Sequence, residues 1–401
     1  MNGGLSRPRI TSIDWLRGLV MVLMLIDHMR DLILAETFWH RSSDLSVISS
    51  ATFITRVITH LCAPLFMLLV GTSVALQIQA GKPMALVQRF LWTRGLWLVF
   101  LEFTLVHFGM AWSWNPLGHL GQAQVIWALG LSMLLLAVMV RLPWNWILMV
   151  SLVLVMGHNL LDPIVVTAWK GPGTPFPGVW GSLWMVLHQP GTITPFGGTA
   201  PMLNIQYPLI PWPGVMGLGF CMGRLYGMES ELRREALLKL GMTSIGMFVC
   251  LRLWNAYGDA SHWTHQATAF RTGLSFLNTT KYPPSLLFLL MTIGTGLLLL
   301  AYREGKTDNL LDRGLITFGR VPMFFYLLQW PMARAMSLLF HALAGKDWWF
   351  LITDKGEPSN LGFKLWAVYV GWAIGLVLLY PLCHWFSGVK GRRKEWWLSY
   401  L

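Results

Sequence analysis

Two basic side chains on one apolar stretch pose the chemical question. Arg17 and His28 flank Gly18 to Ile26, a run with no ionisable residue. They are eleven residues apart. At about 100° per residue this is three turns plus roughly 20°, so both lie on one stripe of a helix, about 16 Å apart along its axis. Asp14 accompanies Arg17, while Asp27, Arg30 and Asp31 crowd His28. Ionisable groups on a membrane-spanning helix are costly in lipid and normally face protein or a wet cavity. The stripe is therefore expected to line an internal path. The plainer reading makes Arg17 an interfacial anchor and His28 a helix-end residue. In ATFITRVITHLCAPLF, Arg56 and His60 are four apart and share a face. Two histidines at similar depth beside Asp27, Asp31 and Arg56 form an acid–base cluster suited to taking a proton from an attacking hydroxyl or amine.

Other polar positions favour plainer roles. Arg94 and Glu102, eight apart, are expected to form a structural ion pair. Gln124 is expected near the outer surface, and Arg320 near the cytoplasm. His262 and His265 in HWTH lack a nearby carboxylate pair, and no metal is expected. The chain has no GxSxG elbow, P-loop or HExxH. The four cysteines lie in apolar segments without metal or disulfide spacing.

The elements that must position these groups are membrane helices. Of 401 residues, 55% are hydrophobic and 12% charged, with mean hydropathy +0.53. Soluble domains carry about 25% charged residues. Apolar runs of membrane length recur end to end, which predicts an all-α polytopic bundle and excludes a barrel. About ten spans are expected, near 13–34, 51–78, 85–108, 122–141, 144–161, 207–228, 234–256, 283–303, 315–342 and 363–387. The net charge of +12 lies mostly in short loops and a basic tail, so it argues for membrane orientation rather than nucleic acid. The positive-inside rule places both termini in the cytoplasm. The N-terminal MNGGLSRPR shows neither a cleavage site after a short apolar core nor a myristoylation signal, so the first helix is expected to be retained. One domain over 1–401 is expected, with a long outer connection at 162–206 and a basic cytoplasmic tail at 388–401. The Gly-, Pro- and Trp-rich part of that connection, including WGSLWMVL, suits a segment lying flat in the interface, as a cover or a lid.

Taken together, SIDWLRG, IDHMRD, ITHLCAPLFMLLVGTS, QVIWALG, YPLIPWPGVMGLG, KYPPSLLFLLMT, FGRVPMFFYLL and the closing WWLSYL resemble the DUF1624 family. This bacterial group is similar to the catalytic region of heparan-α-glucosaminide N-acetyltransferase. The resemblance covers nearly the whole chain. It implies a multi-pass inner-membrane acyltransferase that moves an acetyl or other acyl group from cytoplasmic acyl-CoA to an outer saccharide or related acceptor. It implies membrane lipids, acyl-CoA and a glycan as partners, with a homodimer as one oligomeric option. Under it, Arg17, Arg94 and Arg320 are expected to hold CoA phosphates. His28 is expected to take the acceptor's proton with Asp31, one turn on, orienting it; Asp27, about 100° away, is the poorer partner. Asp27, Arg30, Arg56, Gln124 and Lys281 are expected at the acceptor side. Relatives place their catalytic histidine just after the first span, where this chain has His40, so His28, His60 and His40 compete in that order. The family's FFYLL is often followed by His; here it is followed by Gln329. The alternative class is a transporter or lipid flippase, which buried charges at both ends of a bundle also suit.

Overall fold

The computed structural model describes residues 10–40, 43–112, 118–171, 173–196, 200–353, 360–393 and 395–401. The N-terminal MNGGLSRPR, residues 113–117 of an expected outer turn, Pro172 of the Gly/Pro-rich connection and Lys394 of the basic tail lie outside them. The longer helices, numbered here in chain order, are α1 (Thr11–Ile33), α2 (Ser50–Thr59), α3 (Cys62–Gln79), α4 (Met84–Leu101), α5 (Val125–Met139), α6 (Trp144–Gly157) and α7 (Val179–Leu187). They continue with α8 (Trp212–Met222), α9 (Ser230–Trp254), α10 (Leu286–Arg303), α11 (Leu310–Arg320), α12 (Pro322–Leu343) and α13 (Leu365–Arg392). The architecture is an all-α membrane bundle.

Among the described residues, six helical segments are long and apolar enough to cross a bilayer: Ser50–Gln79, Met84–Ala111, Trp144–Leu161, Ser230–Trp254, Leu286–Arg303 and Leu365–Arg392. Each coincides with an expected span. The other four expected spans take different forms. α1 has 23 residues, about 34 Å at 1.5 Å per residue, which is enough for a hydrocarbon core of about 30 Å. It stands apart through its charges, not its length. α5 has 15 residues and α8 has 11, followed by a 3-10 turn. The expected span 315–342 is two helices. Val321 at φ −131°, ψ 49° separates α11 from α12, because the ring of Pro322 disfavours helical backbone in the residue before it.

A second break lies in Ser50–Gln79, where α2 stops at Thr59 and α3 starts at Cys62. Pro64 has no N–H for the His60 carbonyl four residues back, so the helix cannot run through smoothly. The break sets His60 at the joint.

α1 packs against α3, α11, α12 and α13 within one continuous apolar core. Its crossing with α11 is unusually close. A Cβ on Gly319 would lie 1.8 Å from the Asp14 carbonyl oxygen, and one on Gly18 would lie 1.8 Å from that of Leu315. Small residues let membrane helices approach closely where hydrophobic association gives no advantage over lipid. α11 begins with an Asn309–Asp312 capping box, and Asp312 also accepts from Trp15 Nε1 at 2.7 Å.

The long connection folds into α7 and two strands, which join a strand just before α5 in a small three-stranded sheet that the sequence did not suggest. β1 (His119–Ala123) pairs parallel with β3 (Met202–Ile205), which pairs antiparallel with β2 (Gly191–Ile193). α7 presents Val179 and Trp180 to the outside at about 80% exposure each, as an interfacial segment would.

The close crossing makes a prediction. Gly319→Val should lower the thermal unfolding temperature of the detergent-solubilised protein, by an amount equivalent to about 1–3 kcal/mol of overpacking. Gly314→Ala, where a Cβ would meet nothing within 4 Å, should leave it unchanged or higher. Equal effects of the two substitutions would contradict the close approach.

Candidate functional site

The chemistry-bearing residues of α1 face two cavities at opposite ends of the helix. The inner cavity, of about 260 Å³, is lined by Arg17, Arg94 and Arg320, with Ser73 and Gln77 beside them. Its walls are apolar, from Met24, Phe66, Val70, Leu98, Leu129 and Met323, and Tyr326 lines it too. Arg17 is held by Asp14 at 3.0 Å, by Ser73 Oγ at 3.0 Å and by the Gly319 carbonyl at 3.2 Å, so the close helix crossing also orients this guanidinium. Arg94 lies over the Phe90 ring at 5.5 Å. Glu102 serves a different purpose from the expected ion pair. It is buried in a π-helical turn, Glu102–Val106, and accepts from Trp127 N–H at 2.9 Å, compensating free donors at the start of α5.

The outer cavity, of about 700 Å³, is polar. Asp27, Arg30, Asp31, His40, Arg56, His60 and Lys281 line it, together with Asn204, Gln206, Asn278, Thr280 and Tyr282. Asp27 is its electrostatic centre. This carboxylate receives Arg30 at 2.7 Å, Lys281 at 3.4 Å and the Thr59 hydroxyl at 2.7 Å. Burial works against the Lys281 charge, but Asp27 and Tyr282 outweigh it and raise the ammonium's pKa above its ordinary value. Asp31 turns to Arg30 at 2.9 Å with its side chain about half exposed (49%). Asp31 is therefore not in place to orient His28 by hydrogen bonding, and the nearer buried carboxylate is Asp27. Arg56 donates to Asn278 Oδ1 at 3.1 Å.

His28 lies between the cavities. It is one helical turn beyond Met24 of the inner cavity and next in sequence to Asp27 of the outer one. Its ring stacks on Trp330, with centroids 3.7 Å apart, and meets the Tyr326 ring edge-on at 6.3 Å. Gln329 Nε2 contacts Met24 Sδ at 3.4 Å. Among the described residues, buried polar atoms without a hydrogen-bond partner gather at this junction. They are His28 Nδ1, Gln329 Oε1, Tyr326 OH, Trp330 Nε1 and both ring nitrogens of His60. Buried polar groups in folded proteins are nearly always satisfied, so such a cluster calls for a reason. Groups arranged to meet a substrate provide one.

Chain residues 9–252 match the family described as heparan-alpha-glucosaminide N-acetyltransferase, catalytic. The chain belongs to this family. No curated protein matches it. The family match and the apolar helices make it an acetyltransferase-like multi-pass membrane enzyme. Within the matched heparan-α-glucosaminide N-acetyltransferase region lie Arg17, His28, His40, His60 and Arg94; Lys281, Arg320, Tyr326, Gln329 and Trp330 lie beyond it.

Most of the expected residues come together. Arg17, Arg94 and Arg320 share one cavity. Asp27, Arg30, Asp31, His40, Arg56, His60 and Lys281 share the other. Gln124 does neither. It precedes α5, whose Val125 and Ile126 line the inner cavity, and donates to Gln122 at 2.7 Å. Tyr326 and Trp330, within and just after FFYLL, sit in an apolar run where residue spacing does not single them out. Asn204 and Gln206 were missed because a strand inside a Gly/Pro-rich connection gives little periodic signal.

The charge pattern is testable. Asp27→Asn removes the acceptor of two buried cations and should cost on the order of 3 kcal/mol in thermal or denaturant unfolding. Asp31→Asn, at a half-exposed site, should cost under about 1 kcal/mol. The reverse order would contradict the assignment of Asp27 as the anchor.

Proposed function

We propose that this protein is an inner-membrane acetyltransferase that takes acetyl from acetyl-CoA at the cytoplasmic, N-terminal end of α1 and passes it to a saccharide acceptor outside. The observation that carries this reading is the position of His28. The arginine-rich cavity extends to Tyr326, whose ring meets His28, and His28 adjoins Asp27 of the polar cavity. In this reading Arg17, Arg94 and Arg320 bind CoA phosphates, and the apolar walls take the pantetheine arm. Amides and hydroxyls from Asn204, Gln206, Asn278, Thr280 and Tyr282 suit hydrogen bonding to a sugar.

The acceptor's amine or hydroxyl attacks the thioester carbonyl, and His28 takes its proton as the new bond forms. The tetrahedral intermediate collapses, the C–S bond breaks, and the thiolate of CoA leaves and is protonated. Arg30 and Lys281, held on Asp27, place positive charge near the developing oxyanion. The His28–Trp330 stack closes the junction, so the rings must part when the acyl group arrives. Separate cavities at the two ends of α1 also suit alternating access, the transporter or flippase reading.

His28→Ala should reduce acetyl transfer from acetyl-CoA to a saccharide acceptor in membranes by about 10²–10⁴-fold, while acetyl-CoA still raises the variant's unfolding temperature. Arg17→Ala, Arg94→Ala and Arg320→Ala should instead raise KM for acetyl-CoA. Full transfer in His28→Ala, with loss only in His60→Ala or His40→Ala, would move the base. No stabilisation of the wild-type protein by CoA, with solute uptake in proteoliposomes, would favour transport.

A further inference from the structure

A third group of chemistry-bearing side chains lies away from both cavities. His158, Asp162 and His188 offer ligand atoms that all lie within 4.8 Å of one another. His158 and Asp162 are four residues apart at the end of α6, where the chain tightens into the 3-10 turn His158–Leu161. His188 follows directly on α7. The His188 Nε2 and Asp162 Oδ1 atoms are 3.0 Å apart, and the imidazoles of His158 and His188 have centroids 5.7 Å apart.

The histidines are more deeply buried than a simple surface pair requires. His158 is 2% exposed and His188 3%. Neither ring nitrogen of His158, nor Nδ1 of His188, has a hydrogen-bond partner among the described residues. A buried imidazole that has given up water without replacement is poorly served by apolar packing. A cation bound through the one free nitrogen lone pair of each ring would give that nitrogen a partner. The Asp162 carboxylate remains 21% exposed, which leaves an entry path. Its second oxygen accepts from Asn159 Nδ2 at 2.8 Å. The same Asn159 side chain accepts from Leu286 N–H at 2.9 Å. Hydrogen bonds that orient a ligand in this way are a regular feature of metal sites.

We propose that His158, Asp162 and His188 bind one divalent transition-metal ion of the zinc class. Two imidazoles and one carboxylate, with room for water as a fourth ligand, match zinc's preferences. Ligand atoms of a tetrahedral zinc site lie about 3.3 Å apart, given metal–ligand distances of about 2.0–2.1 Å. The Asp162–His188 pair, at 3.0 Å, is close to that spacing, and all three ligand atoms lie within 4.8 Å of one another. On binding, His188 turns a lone pair to the metal and keeps its proton on the other nitrogen.

The ion's role follows from what it joins. It ties the end of α7 to the end of α6 and, through Asn159, to the start of α10. Two residues after His188, Pro190 lines the outer cavity. Thr192 of β2 pairs with Asn204 of β3, another residue of that wall. The metal is a clamp that fixes the long connection against the bundle. It takes no part in acetyl transfer, so its test does not depend on that activity.

The full-length protein, purified in detergent without a polyhistidine tag, is stripped with EDTA, reloaded with Zn²⁺ and assayed for bound metal. Co²⁺ loading is followed by its visible absorption. The expected results are about one equivalent of Zn²⁺, a tetrahedral cobalt spectrum, and a higher unfolding temperature with metal. His158→Ala and His188→Ala should lose both the metal and the spectrum, and Asn159→Ala should weaken Zn²⁺ binding about 10–100-fold. A wild-type protein that takes up no Zn²⁺ at micromolar excess would overturn the proposal. So would His158→Ala and His188→Ala proteins that keep the full equivalent. If the ligand variants fail to fold, wild-type stoichiometry and the cobalt spectrum decide the question alone.

Discussion

A charge left alone in hydrocarbon is prohibitively costly, and the first helix carries five: Asp14, Arg17, Asp27, Arg30 and Asp31. The bundle is arranged around satisfying them. Arg17 finds Asp14, Ser73 and the Gly319 carbonyl. Arg30 bridges Asp27 and Asp31, and Lys281 comes in from the loop before α10 to complete the Asp27 site. At the helix start, the Ser12 hydroxyl donates to Glu304, which also receives Arg233. These partners come from α3, α11 and the chain around α9 and α10, so α1 can only sit inside. The Gly18–Gly319 crossing brings α11 close enough for its backbone to serve as one of the partners.

With the charges partnered at both ends, the middle of α1 is left apolar. Met21, Met24 and Leu25 are apolar and buried. His28, toward the charged end of the helix, is set against the Tyr326 and Trp330 rings on one side and follows Asp27 of the outer cavity in sequence. The proposed division of labour follows from this pattern: guanidinium groups for phosphate at one end, hydrogen-bonding groups for a sugar at the other, and a base between them.

Much of this was legible in the sequence because helical periodicity reports which side chains share a face. Arg17 and His28 on one stripe, and Arg56 with His60, needed only residue spacing. The apolar runs gave the helical class and six of the segments that can cross a bilayer. Long-range pairing was not legible. Asp31 is one turn from His28, yet the nearer cation, Arg30, captures it. Arg94 and Glu102 are aligned in sequence, but the start of α5 takes Glu102. The three-stranded sheet joins segments far apart in the chain, and of the His158–Asp162–His188 group only the four-residue His158–Asp162 spacing is visible locally. The break at Val321 was readable in principle from Pro322, but an unbroken apolar run across 315–342 hid it.

The most direct measurement is a cryo-EM structure of the full chain with a non-hydrolysable acetyl-CoA analogue bound. The account predicts phosphates against Arg17, Arg94 and Arg320, the arm between Phe66 and Leu129, and the acyl carbon within reach of the His28 ring, with Trp330 displaced. An analogue bound in the outer cavity, or one whose acyl group ends away from His28, would contradict it.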